Sequence, residues 1–116
     1  MNLEKLAQEV VSLSIKRGAT LTFAESCTGG LLSKLITDVP GSSACLEYGF
    51  VVYSNGAKSD LLGVPADVIQ QHGAVSEATV LQMVKGARER AGANMAAAIS
   101  GVAGPCLLYT SDAADE

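Results

Sequence analysis

Residues recur at intervals of three and four near the start of the chain, where Leu3, Leu6, Val10, Leu13 and Ser14 or Ile15 are separated by polar and charged residues and followed by Gly18. That spacing predicts an amphipathic helix from Asn2 to about Lys16, stopped by the glycine. The period then changes. Thr20 to Ala24 (TLTFA) is short, β-branched and aromatic, and predicts a strand buried in a sheet. ESCTGG forms a strand-to-helix junction ahead of the helical spacing of Leu31, Leu32, Leu35 and Ile36. Pro40, Gly41 and two serines make a turn, after which ACLEYGFVVYS reads as a second, largely apolar strand. Asn55 to Leu62 is helical again with Gly63 as its stop, and Pro65 opens a short helix through Gln71 that Gly73 ends. Ser76, with Glu77 and Thr79 behind it, starts a longer helix to about Ala91 whose Val80, Met83, Val84 and Ala87 share one face. Asn94 to Ser100 (NMAAAIS) predicts a third strand, which runs into the loop GVAGP.

The order α-β-α-β-α-α-β implies a layered α/β domain with helices on both faces of the sheet. The last eleven residues, CLLYTSDAADE, follow neither period and are too short and polar to complete that sheet. They resemble the translation of a sequencing adaptor, so residues 106–116 are expected to be a non-native tail outside the fold. With 116 residues, 48% of them hydrophobic, the chain has the size of one domain with a respectable core. A net charge of −4 leaves little for phosphate neutralisation, which disfavours nucleic acid as a partner. No apolar run reaches the length of a membrane span, and MNLEKLAQEVV has no signal-peptide core, so a cytoplasmic location is expected. Cys27, Cys45 and Cys106 follow no CxxC spacing; reduced thiols are the simpler reading than a disulfide framework or a zinc site. The lone His72 has no metal partner in sequence and reads as a polar helix-end residue.

Chemistry is concentrated where strands end. Ser26 sits at the carboxyl end of the first predicted strand, and Thr28, Gly29 and Gly30 behind it offer unhindered backbone N–H groups to a phosphate or an oxyanion. A serine there is also an ordinary helix cap whatever its function. A nucleophilic serine needs a base, and Lys58 is the candidate: a desolvated lysine loses basicity and can accept the serine proton. Tyr53 and Lys58, at the end of the second strand and the start of the next helix, could share a crevice with Ser26, although a first-turn lysine is more often solvated. Ser42 and Ser43 are turn residues by composition, and Cys27 reads as a small buried apolar residue. Ser100 to Pro105 is the other glycine-dense strand end.

Taken in order, AESCTGGLLSKLITDVPGSS, YGFVVYSNGAKSDLLGV, HGAVSEAT and AISGVAGP closely resemble the CinA C-terminal domain family, the nicotinamide mononucleotide deamidases, from about Glu4 to Pro105. The resemblance implies a three-layer α/β/α sandwich with a mixed, mainly parallel sheet. It also implies hydrolysis of nicotinamide mononucleotide to nicotinic acid mononucleotide and ammonia without metal or organic cofactor. Ser26 would be the nucleophile, Lys58 the base and Tyr53 an aid to proton transfer. Ser43 would hydrogen-bond within the site; Asn55, Thr28, Gly29, Gly30, Ser100, Gly101 and Gly104 would bind substrate, with Ser100 standing where the family usually has threonine. After Pro105 the family continues with a glycine-rich loop, a strand pair and a phosphate-binding arginine, so residues 1–105 are expected to be an incomplete deamidase domain with weakened affinity and stability. The expected partner is a small nucleotide substrate, with a homo-dimer left open and neither nucleic acid nor membrane involved. The alternatives are a non-catalytic nucleotide-binding or competence-related interaction module, or an inactive fragment.

Overall fold

The computed structural model describes residues 2–101 and 106–112. Among these, β1 (Leu21–Glu25), β2 (Leu46–Val51), β3 (Met95–Gly101) and β4 (Cys106–Asp112) form one sheet in the order β2-β1-β3-β4. β1 runs parallel to both neighbours, with Leu21 opposite Leu46 and Met95, whereas β4 is antiparallel to β3. The helices are α1 (Leu3–Arg17), α2 (Leu31–Thr37), α3 (Asn55–Leu62), α4 (Ala66–His72) and α5 (Glu77–Ala91), with a single 3-10 turn at Ser42–Ala44.

Strand side chains alternate between faces, and that alternation sorts the core into two clusters. Leu21, Phe23 and Met95 turn towards Ala7 and Val11 of α1 and Ile36 of α2. Ala24, Ala96 and Ala98 turn the other way, against Leu62 of α3, Ile69 of α4 and Val80, Met83 and Val84 of α5. The small alanines let α5 lie close on the sheet, and Ala24, Ala87 and Ala98 are fully buried. The result is the expected three-layer α/β/α arrangement around a mixed, mainly parallel sheet. None of the described helices is long and apolar enough to cross a membrane.

Two expectations are corrected. The segment after Pro105 was expected to add no strand, yet β4 pairs along the whole of β3, from Gly101 opposite Cys106 to Met95 opposite Asp112. The open edge of β3 presents backbone N–H and C=O groups that need partners, and Leu107, Leu108, Tyr109 and Thr110 have the composition of an edge strand. The second correction is at α1, where the Leu3, Leu6, Val10 and Leu13 stripe is the more exposed one, at 41–53%. The buried stripe is Ala7 and Val11 together with Ser14, which the expected stripe included; the smaller side chains allow a closer approach to the sheet, and Ser14 satisfies its hydroxyl on Val10 O at 2.7 Å.

Candidate active site

β1 delivers two consecutive residues to opposite faces of the sheet. Glu25 continues the set of Leu21 and Phe23 towards α2, and Ser26, next in the alternation, falls on the side of α3. The backbone is fixed on both sides at this point: Val52 N donates to Glu25 O at 2.8 Å, and Ser26 N donates to Ile99 O at 3.1 Å. Ser26 is therefore anchored between β2 and β3 at the carboxyl end of the parallel strands, where open α/β sheets place ligands.

α3 supplies its partner. Ser54 caps the helix by accepting from Ala57 N at 3.1 Å, which sets the first turn so that Lys58 points inward. Lys58 is 1% exposed, and its Nζ lies 3.2 Å from Ser26 Oγ and 2.9 Å from Tyr53 O, donating to both. Its two hydrogen bonds go to a hydroxyl and a main-chain carbonyl, neither of them charged. Burial accordingly lowers the Lys58 pKa from its ordinary value of 10.5. A lysine that gives up its proton more readily, held within hydrogen-bonding distance of a buried serine, can take the serine proton and generate an alkoxide.

The other expected site residues divide. Tyr53 touches Lys58 through its main-chain carbonyl, while its side chain is 77% exposed, so no hydrogen bond brings the phenol to the lysine. Thr28 lies beside the serine but donates its hydroxyl to Glu25 Oε1 at 2.8 Å. Gly29 and Gly30 adopt φ of 64° and 110°, the left-handed region that lets the chain turn from β1 into α2. Ser100 and Gly101 end β3 at the same edge as Ser26; the Ser100 hydroxyl is buried and donates to Ala74 O at 2.9 Å, tying β3 to the loop between α4 and α5. Gly104 lies outside the described residues.

Ser43 is not brought to this edge. It is exposed in the 3-10 turn that precedes β2, and Leu21 N donates to Cys45 O at 2.7 Å, so the turn borders the amino ends of the parallel strands. Parallel pairing of β1 with β2 makes this the end of the sheet opposite Ser26. Asn55 is exposed at the first turn of α3 and borders a surface depression with Ser59, Ala66 and Gln70, whose lining includes neither Ser26 nor Lys58. Cys27 is disulfide-bonded, against the reduced-thiol reading, while Cys45 is a free buried thiol whose pKa burial pushes up.

One residue beside the serine had no role assigned to it from the sequence. Glu25 is fully buried, and its carboxylate accepts from Thr28 Oγ1 and Leu32 N on Oε1, at 2.8 and 2.7 Å. On Oε2 it accepts from Ser33 N and Ser33 Oγ, at 3.0 and 2.7 Å. The available signal was an acid closing an otherwise apolar strand, with hydroxyl residues three and eight positions later and a helix start between them.

A model of the CinA C-terminal domain matches residues 3–110. The chain belongs to the CinA C-terminal domain family. It is 53% identical over 102 residues to a CinA-like protein of Geotalea daltonii, covering 88% of this chain and 25% of that protein. It is 52% identical over 103 residues to the nicotinamide-nucleotide amidohydrolase PncC of Escherichia coli K12, covering 89% of this chain and 62% of that enzyme. The chain thus spans about a quarter of the first relative and less than two thirds of the second. Its fold matches the crystal structure of the competence/damage inducible protein CihA from Agrobacterium tumefaciens with a TM-score of 0.92 at 40% identity, over 95% of this chain and 73% of that one. Ser26, Lys58 and the paired ends of β1 and β3 all lie within the stretch that the CinA C-terminal domain model covers.

Proposed function

We propose that this CinA-family domain is an amidohydrolase that converts nicotinamide mononucleotide to nicotinic acid mononucleotide and ammonia. The observation that carries the reading is the buried Lys58 Nζ at 3.2 Å from Ser26 Oγ, at the carboxyl end of the sheet. Support for the substrate comes from the amidohydrolase PncC, 52% identical over 103 residues. Ser26 Oγ attacks the carboxamide carbon as neutral Lys58 takes its proton. The tetrahedral intermediate expels the amine, which leaves as ammonia with the proton that Lys58 returns. Water then attacks the acyl-enzyme, with Lys58 again as base, releasing the carboxylic acid and restoring Ser26. Thr28, Gly29, Gly30, Ser100 and Gly101 border the serine and are the groups on which the substrate would rest. The decisive test is ammonia release from nicotinamide mononucleotide by the purified protein; a folded protein that binds the nucleotide and releases none overturns the proposal. Binding without turnover is the second reading, kept open because the CinA-like protein of Geotalea daltonii, 53% identical over 102 residues, carries no amidohydrolase name.

The lysine also fixes the pH dependence. Its neutral form is the base, so kcat/KM should rise with pH through the lowered Lys58 pKa and level off below 10.5, the ordinary lysine value. Stability should move with it. The folded pKa lies below the unfolded one, so the unfolded chain binds more protons between the two, and stability rises with pH across that window. Below the folded pKa the full cost of burying a charged amine remains. Lys58→Met should therefore eliminate turnover yet stabilise the fold, most strongly at acid and neutral pH and less as pH approaches 10.5. Denaturant midpoints of both proteins across a pH series check this; a Met variant that is less stable at neutral pH contradicts it.

A further inference from the structure

We infer that Glu25 is a positioning residue that holds the Ser26–Gly30 loop, and with it the serine hydroxyl, in register with Lys58. The inference rests on the proposed Ser26–Lys58 pair and adds a residue that pair does not include. The loop leaves β1 at Glu25 and enters α2 at Leu31, so its two ends are set by whatever joins those points. Its glycines, with φ of 64° and 110°, give it backbone freedom that must be restrained elsewhere. Glu25 supplies the restraint through one carboxylate. Thr28 Oγ1 ties the middle of the loop to it, and Leu32 N, Ser33 N and Ser33 Oγ tie the first turn of α2 to it. All four donors meet a fully buried acceptor, so the bonds are shielded from competition with water.

The same residue's main chain is clamped in the sheet, with Glu25 O accepting from Val52 N and the next amide, Ser26 N, donating to Ile99 O. The strand end and the glycine-containing loop are thereby joined through one side chain on the face opposite the serine. β2 closes the arrangement from outside: a Cβ added at Gly49 would sit 2.5 Å from Ser33 Oγ, so the bare glycine leaves room for the Ser33 hydroxyl beside Glu25. Because these bonds occupy Leu32 N and Ser33 N, the first turn of α2 is already committed to an internal carboxylate. The role of the Glu25 carboxylate is therefore to aim the nucleophile, without contact with substrate.

The test compares wild type, Glu25→Gln, Glu25→Met and Ser26→Ala in the full chain, with two readouts. One is covalent labelling of Ser26 by a fluorophosphonate, followed by mass of the modified peptide, which needs an activated serine but no nicotinamide substrate. The other is the kcat and KM of ammonia release. Wild type should label, Ser26→Ala should not, and Glu25→Met should label at least about 30-fold more slowly at equal folded fraction. Glu25→Gln keeps one acceptor oxygen and should recover part of the rate. In turnover, the loss should fall on kcat with KM within about threefold. Folded Glu25→Met labelling at the wild-type rate overturns the inference while leaving the Ser26–Lys58 pair standing. A wild type that labels without releasing ammonia refutes the deamidase reading alone, and one that does not label refutes both. Where Glu25→Met fails to fold, Thr28→Val and Ser33→Ala each remove a donor from the same carboxylate. Slowed labelling by folded forms of these supports the inference, and wild-type labelling by both overturns it.

Discussion

Ser26→Ala is expected to lower kcat for ammonia release from nicotinamide mononucleotide by several orders of magnitude, with nucleotide binding changed severalfold at most. On the proposed mechanism the substitution removes the atom that would form the acyl-enzyme and leaves Lys58, 3.2 Å from that atom in the wild type, as a base without a nucleophile. In serine hydrolases, removal of a member of the catalytic set leaves only the roughly 10³–10⁴-fold acceleration that binding and charge stabilisation provide without it. Folding should survive. The side chain is small, and Lys58 Nζ keeps its bond to Tyr53 O at 2.9 Å, so the buried amine is not orphaned. Parallel measurement of steady-state ammonia release and equilibrium nucleotide binding separates the alternatives. Activity within tenfold of wild type would eliminate Ser26 as nucleophile. Unchanged binding by both proteins with no turnover by either would favour the binding-module reading.

The elements were legible from the sequence wherever one period dominated. α5 is the clearest case: Val80, Met83, Val84 and Ala87, chosen by spacing alone, are all buried, and Ser76 caps the helix by accepting from Thr79 N at 3.2 Å. α1 lies where expected, but of its expected stripe only Ser14 is buried, because hydrophobicity favours the leucines while packing on a sheet favours the smaller Ala7 and Val11. β4 has no place in the sequence reading because residues 106–116 resemble a non-native tail and CLLYTSD does not alternate; the strand is intelligible from the ladder it completes on β3. At the site, strand ends and the motif order brought Ser26, Lys58, Ser100 and Gly101 to one edge. Ser43 entered the expected site through the family resemblance alone; its place ahead of β2 in a parallel pair puts it at the amino ends of the strands. Tyr53 was placed near Lys58 correctly, but its contribution is a carbonyl, a group every residue carries. Glu25 was passed over since a buried carboxylate is intelligible only once its four donors are seen around it.

Gly86→Ala is expected to destabilise the domain by about 2 kcal/mol or more and to depress activity in the protein that remains folded. Considered as a helix position alone the change should help, since alanine is favoured over glycine in a helix interior by up to about 1 kcal/mol. Packing reverses the sign. A Cβ at residue 86 in the middle of α5 would lie 1.9 Å from Leu62 O and 2.8 Å from Leu62 C, both backbone atoms, so no side-chain rotation relieves the clash. α3 cannot simply retreat either: Leu62 and Val64 are buried at 3% and 1%, and the helix end is closed by Gly63, at φ of 69°, through Gly63 N to Ser59 O at 3.0 Å and Val64 N to Lys58 O at 3.3 Å. Pushing Leu62 outward therefore displaces the residue whose carbonyl closes that helix end, Lys58 itself. For a domain of this size the loss corresponds to a fall in Tm of about 10 °C, and the altered Lys58 to Ser26 distance should reduce kcat at temperatures where the variant is fully folded. Thermal melts and single-temperature turnover test the two parts. A Tm at or above wild type would mean that α3 and α5 can separate at little cost, and that the position of Lys58 does not depend on this contact.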